Sequence, residues 1–145
     1  MKFKLLVLVL LTSCALTANA QDACLAKGLA SADVNAYAGN DLAAADRELN
    51  AVYQQVLHEH ATDKNFVRKL RTAQRAWLVY RDAELAARYP DPNPGTAYGS
   101  VYPVCAAGLK ARLTHARISQ LRMWLEGAAE GDVCAGSLPI GGDPD

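Results

Sequence analysis

The chain has little of what usually betrays a small protein's chemistry. Among 145 residues there are four cysteines, two phenylalanines and two tryptophans, and acidic and basic side chains balance at 15 each. No C-x-x-C pair or Cys/His cluster occurs, which argues against a structural zinc site and a thioredoxin-like redox motif. The balanced charge lacks the basic footprint of a nucleic-acid or membrane-surface binder. Strand-type alternation is absent. The longest apolar run, Leu5 to Leu11, falls far short of the roughly 20 residues that span a bilayer, so no transmembrane span is expected. A nucleophile with an adjacent base is not visible either. His58-Glu59-His60 sets its histidines two apart, on different sides of a helix, and is not the H-E-x-x-H pattern. With His115 also isolated, all three read as solvated helix residues. An enzyme is not expected, nor is a cofactor.

The first segment that is present is an export signal. Lys2 and Lys4 form a positive start, Leu5 to Leu11 an apolar middle, and Ala18-Asn19-Ala20 a small-residue cut site, so residues 1–20 read as a secretory signal peptide. The expected location is periplasmic or secreted. A second pattern competes. Leu11-Thr12-Ser13-Cys14 has the form of a lipobox, in which Cys14 would carry a lipid anchor. The run before Cys14 is short and Ala-Asn-Ala is a good cut site, which favours cleavage after Ala20. About 125 residues then remain, enough for one domain with a real core, with 13 basic against 15 acidic side chains. Cys24, Cys105 and Cys134 also remain, an odd number in an oxidising compartment. One disulfide and one thiol is the simplest outcome, with three pairings open.

The rest of the chain is patterned for helices. After Asp41, a possible cap, Leu42, Ala45, Leu49, Val52, Val56 and Leu57 recur at steps of three and four as far as about His60. A second start falls at Thr62-Asp63. Phe66, Leu70, Ala73, Trp77, Tyr80 and Glu84 trace one face of that helix, with Val67, Gln74, Leu78, Arg81 and Leu85 beside it. It must stop at Pro90, Pro92, Pro94 and Gly95. Ser100 is the expected N-cap of a third helix, in which Val104, Leu113, Arg117, Leu121, Trp124 and Leu125 carry the buried stripe to Glu126. A shorter helix is expected over Asp22 to Tyr37. The fold class is therefore all-α: a small antiparallel bundle of three long helices plus a short N-terminal one, over residues 21–126. Residues 127–145, rich in Gly and Pro, read as a flexible tail.

Within this pattern "AQRAWLVYRDAEL", residues 73–85, mixes bulky apolar and hydrogen-bonding side chains. On a helix Gln74, Trp77, Arg81 and Leu85 stack at steps of three and four, as Asp46 and Asn50 do on the preceding helix. Arg117 sits inside the apolar stripe of the following one. A buried guanidinium is costly unless paired. The economical reading is a polar clamp in which Asp46, Asn50, Gln74, Arg81 and Arg117 join the helices by charge-assisted hydrogen bonds.

"AAADRELNAVY" at 43–53, "LRTAQRAWLVYRDAE" at 70–84 and "LTHARISQL" at 113–121 together resemble the LprI-like lysozyme-inhibitor domain family, over about residues 24–121. The resemblance implies a helical bacterial domain outside the cytoplasm, secreted or lipid-anchored. Asp46, Leu49, Asn50 and Tyr53 match its first motif; Gln74, Trp77, Tyr80, Arg81 and Asp82 the second; Leu113, Thr114 and Arg117 the third. The family usually has a cysteine where this chain has Leu85, and another near Tyr37. The resemblance therefore implies that one disulfide is missing and that Cys24–Cys105 remains, with Cys134 a free thiol or, alternatively, bonded to Cys105.

The activity so implied is inhibition of a lysozyme-type muramidase by protein–protein binding. Lysozymes act through a carboxylate pair in an open sugar cleft, and a stiff projection is what would block it. The loop from Tyr89 to Tyr98, with Asp91 and Asn93 among its prolines, is the candidate partner-binding element; the plainer reading makes it a helix connector. The alternative function is an envelope module that binds or scaffolds another protein.

Overall fold

In the computed structural model, residues 32–141 are described. They form α1 (Ala32–Glu59), α2 (Lys64–Arg88), a single turn α3 (Pro94–Ala97) and α4 (Tyr102–Glu126). The all-α expectation holds. Cross-helix pairs set the directions. Asp41 faces His115, and Glu48 pairs with Arg122, so a seven-residue step on α1 matches a seven-residue step on α4 and the two run parallel. α2 runs against both, pairing with Asp46 of α1 through Arg81 and with Lys110 of α4 through Asp82. The bundle is up, down, up.

Its apolar core lies chiefly between the two parallel helices. Leu49, Val52 and Val56 of α1 meet Ile118 and Leu121 of α4, while α2 adds Leu70. Tyr53, Phe66, Trp77 and Trp124 pack around them, half-buried. The α1 stripe is the one its periodicity predicts. In α4 the predicted stripe is shifted: Leu109, Ala111, Thr114 and Ile118 are buried with Val104 and Leu121, whereas Leu113 and Arg117 are half-buried at its margin.

On α2 the buried row falls between the predicted face, of which Phe66, Leu70 and Trp77 pack inward, and the one beside it. Tyr80, Ala73 and Glu84 are exposed, and Gln74 joins Leu70 as one of its two buried residues. The burying face therefore runs Leu70, Gln74, Trp77, Arg81, Leu85. Two of those five, Gln74 and Arg81, are polar, so α2 is held by polar contacts as well as by hydrophobic burial.

Helix ends follow local chemistry. The Asp63 side chain accepts from Phe66 N at 2.9 Å, closing the predicted cap of α2. α2 ends at Arg88, before Pro90. Asp41 proves not to be a cap: α1 is already helical from Ala32, and Asp41 lies inside it opposite His115. The expected short helix over Asp22 to Tyr37 thus ends as the opening turns of α1, and its earlier part lies outside the described residues, as do residues 1–20. Nor does Ser100 cap α4. That helix begins at Tyr102, after Gly99 has turned the chain at φ 72°.

Beyond α4 the described residues 127–141 form a closed loop. Ala128 N donates to Pro139 O at 2.7 Å and Gly141 N to Ala128 O at 2.9 Å, a one-pair parallel bridge. Gly127 permits it. At φ 83° it adopts a conformation that L residues avoid, and a Cβ there would lie 2.5 Å from Gly141 N. Gly127→Ala should therefore detach the loop at a cost of about 1–3 kcal/mol, read as faster amide exchange over 128–141 with the α1 and α4 cores unchanged. Unaltered exchange there would contradict the loop geometry.

Candidate functional site

The polar side chains expected at the clamp meet in two layers. In the first, Arg81 of α2 reaches between the other helices. Its Nη1 donates to Asp46 Oδ1 of α1 at 2.7 Å and to Thr114 Oγ1 of α4 at 3.0 Å. The guanidinium also stands 5.2 Å from the centre of the Trp77 ring, one turn earlier on its own helix. Cation–π contact of this kind adds about 0.5–2 kcal/mol, depending on desolvation. The Arg81 side chain is only 13% exposed while that of Asp46 is 43% exposed. The pair therefore sits at the bundle's edge, with its cation inside. Arg81 Nε is buried without a partner.

The second layer lies about two turns along α2. Arg117 Nε donates to Gln74 Oε1 at 3.0 Å, while its Nη1 reaches Gln120 Oε1 at 3.1 Å on the same helix. Burial disfavours the charged form of Arg117 and lowers its pKa, with Tyr53 nearby acting the other way. Gln74 is the buried amide that lets this cation sit against the core without an acid beside it.

Not every motif residue joins. Asp82 pairs at the surface with Lys110 Nζ at 3.1 Å. Tyr80 is half exposed, and Asn50 is exposed on the wall of a cleft between α1 and α2. The clamp also has a member that the helix pattern did not single out. Thr114 matches the third motif, yet its place as a fully buried acceptor for Arg81 shows only once α4 is rotated to its true stripe. A β-branched residue there is equally compatible with plain packing.

The bundle's two ends are aromatic. At one, His60 Nε2 donates to the Trp124 carbonyl at 3.1 Å and its ring lies 4.5 Å from that of Phe66. His60 is thus a packed helix-end residue rather than a solvated one; His58 is exposed. At the other end Tyr89, Tyr98 and Tyr102 stack edge to face, with centroids 5.1 Å apart from Tyr89 to each of the others. Burial raises the pKa of Tyr89, and Cys105 beside it adds to the rise. The two tyrosines that bound the loop 89–98 therefore form its base. Asp91 and Asn93 are its exposed tip, where Asp91 Oδ1 accepts from Asn93 N at 2.7 Å.

Cys105 lies in the first turn of α4, and Cys134 is exposed in the loop beyond its last turn. From Cys105 to Glu126 the helix rises about 30 Å, whereas bonded cysteines need Cα atoms within about 7 Å. The alternative Cys105–Cys134 bond is therefore set aside. Cys24 lies outside the described residues.

The fold and this network define a small helical domain whose central helix is fastened by arginine. A family model described as lysozyme inhibitor LprI matches residues 18–121, and the chain belongs to that family. It is also similar to an uncharacterized protein of Rhizobium meliloti, 34% identical over 134 residues that span 83% of this chain and 94% of that one. No solved structure matches it.

Because Arg81 and Thr114 share one bond in a nearly dry setting, their substitutions should not add. Arg81→Met is expected to cost about 2–4 kcal/mol and Thr114→Val about 1–2. The double variant should fall at least 0.5 kcal/mol short of their sum, measured by urea unfolding. Strict additivity would mean the contact contributes nothing. Cys134→Ser should stay within about 0.5 kcal/mol of the parent; a larger loss would show that this thiol is engaged.

Proposed function

We propose that this protein is an exported inhibitor that binds a lysozyme-type muramidase and occludes its sugar cleft. The observation that carries the reading is the family match over residues 18–121, which takes in all three clamped motifs. The action is binding rather than catalysis. The signal pattern of residues 1–20 supports a periplasmic or secreted location after cleavage at Ala20, and a Cys24–Cys105 disulfide would suit that compartment.

The candidate contact is the loop between Tyr89 and Tyr98. Three features make it a stiff projection. Pro90, Pro92 and Pro94 restrict its backbone, the Asp91 carboxylate fixes its tip, and the stacked tyrosines anchor both ends. Such a loop loses little conformational entropy when it enters a cleft. Asp91 also places a negative charge at the tip, which favours approach to a basic enzyme. The clamp's role in this reading is indirect: it holds the α2 end that carries the loop.

The test follows clearing of a bacterial cell-wall suspension by chicken-type lysozyme in the presence of the purified chain without residues 1–20. Dose-dependent loss of lysis is expected. Replacing residues 90–97 by a Gly/Ser linker should weaken inhibition at least tenfold, with the helical circular-dichroism signal retained. Unchanged lysis at large molar excess would contradict the reading for that enzyme class. An envelope protein other than lysozyme would then be the partner to seek.

A further inference from the structure

Between α1 and α2 the bundle leaves an open cleft of about 590 Å³, a size that holds a small ligand. At its edge the two helices are joined by the Arg81–Asp46 pair. Buried Leu49 and Gln74 lie at its floor, and Asn50 and Gln54 of α1 face Arg71 and Arg75 of α2 across it.

The charge in the cleft is unbalanced. Its one acid, Asp46, is already engaged by Arg81 at 2.7 Å. Arg71 has no side-chain hydrogen bond or ion pair among the described residues, and Arg75 donates only to the Thr72 hydroxyl at 3.3 Å. Two guanidinium groups one helical turn apart thus share one wall without a counter-charge, in a chain whose formal charge is zero. Guanidinium binds carboxylate through paired, parallel hydrogen bonds. The amides of Asn50 and Gln54 and the phenol of Tyr53, which also lines the cleft, offer donors and acceptors to hydroxyl or amide groups beside that carboxylate.

We infer that this cleft is a binding site for a small polar carboxylate, either a sugar acid or a short acidic peptide. Arg71 and Arg75 hold the carboxylate, and Asn50, Tyr53 and Gln54 select the hydrogen-bonding groups next to it. The site is separate from the loop 89–98 and does not depend on lysozyme binding.

Isothermal titration at low ionic strength tests this on the same exported chain. The probes are a glucuronate-containing disaccharide and the dipeptide Glu-Glu, each beside its neutral counterpart, cellobiose and Gln-Gln. At least one acidic probe should bind at millimolar concentration or below, at least tenfold more tightly than its neutral counterpart, and the probe that binds identifies the source of the carboxylate. R71Q/R75Q, both at exposed positions, should reduce that affinity at least tenfold with thermal unfolding unchanged. Acidic probes that bind no better than neutral ones, or an affinity unaltered in R71Q/R75Q, would overturn the inference.

Discussion

One guanidinium decides how this bundle is put together. Arg81 enters from α2, donates to a carboxylate on α1 and to a fully buried hydroxyl on α4, and lies over the ring of Trp77. A guanidinium this little exposed needs its partners: removing the Asp46 carboxylate leaves its charge without a counter-ion, whereas removing the Thr114 hydroxyl leaves that ion pair and costs one hydrogen bond. The requirement is also directional. Carboxylate, hydroxyl and ring must all be within reach of one planar group, which fixes the rotation and height of α2 against both neighbours. Apolar burial joins α1 to α4 and would tolerate small slides. The clamp does not.

That division of labour shapes the molecular surface. The two parallel helices supply a compact apolar spine, with Val56 and Leu121 wholly buried. The third helix adds Leu70 to that spine and is fastened by Arg81 and by the Arg117–Gln74 bond. A cleft remains on the α1 side, and the far end of α2 delivers the tyrosine-based loop. Cleft and clamp both follow from polar side chains standing beside Leu70, Phe66 and Trp77 on the inward face of α2.

Much of this was legible in the sequence, for identifiable reasons. Asp46, Gln74, Arg81 and Arg117 stood out because cations and amides at core-facing steps demand partners on other helices. The proline cluster marked the end of α2, and Asp63 its beginning. The rotation of α4 was less legible, since alanines and threonine at positions 106–114 read equally well as inside or outside. So Ile118 and Thr114 surfaced only with the fold. Asp41 looked like a cap because it precedes an apolar run, yet the alanine-rich stretch before it is itself helical. The arginines at 71 and 75 belong to no helical face singled out in the sequence; they come together only on the wall of the cleft, which no local pattern encodes.

If α2 depends on the clamp as well as on hydrophobic burial, the effect of loosening the clamp should be local. Hydrogen-exchange mass spectrometry on the parent and on Arg81→Met tests this most directly. Exchange should accelerate over residues 70–88, with α1 around Val52–Val56 and α4 around Ile118–Leu121 protected as before. A uniform acceleration across all three long helices, or no change over α2, would contradict the account.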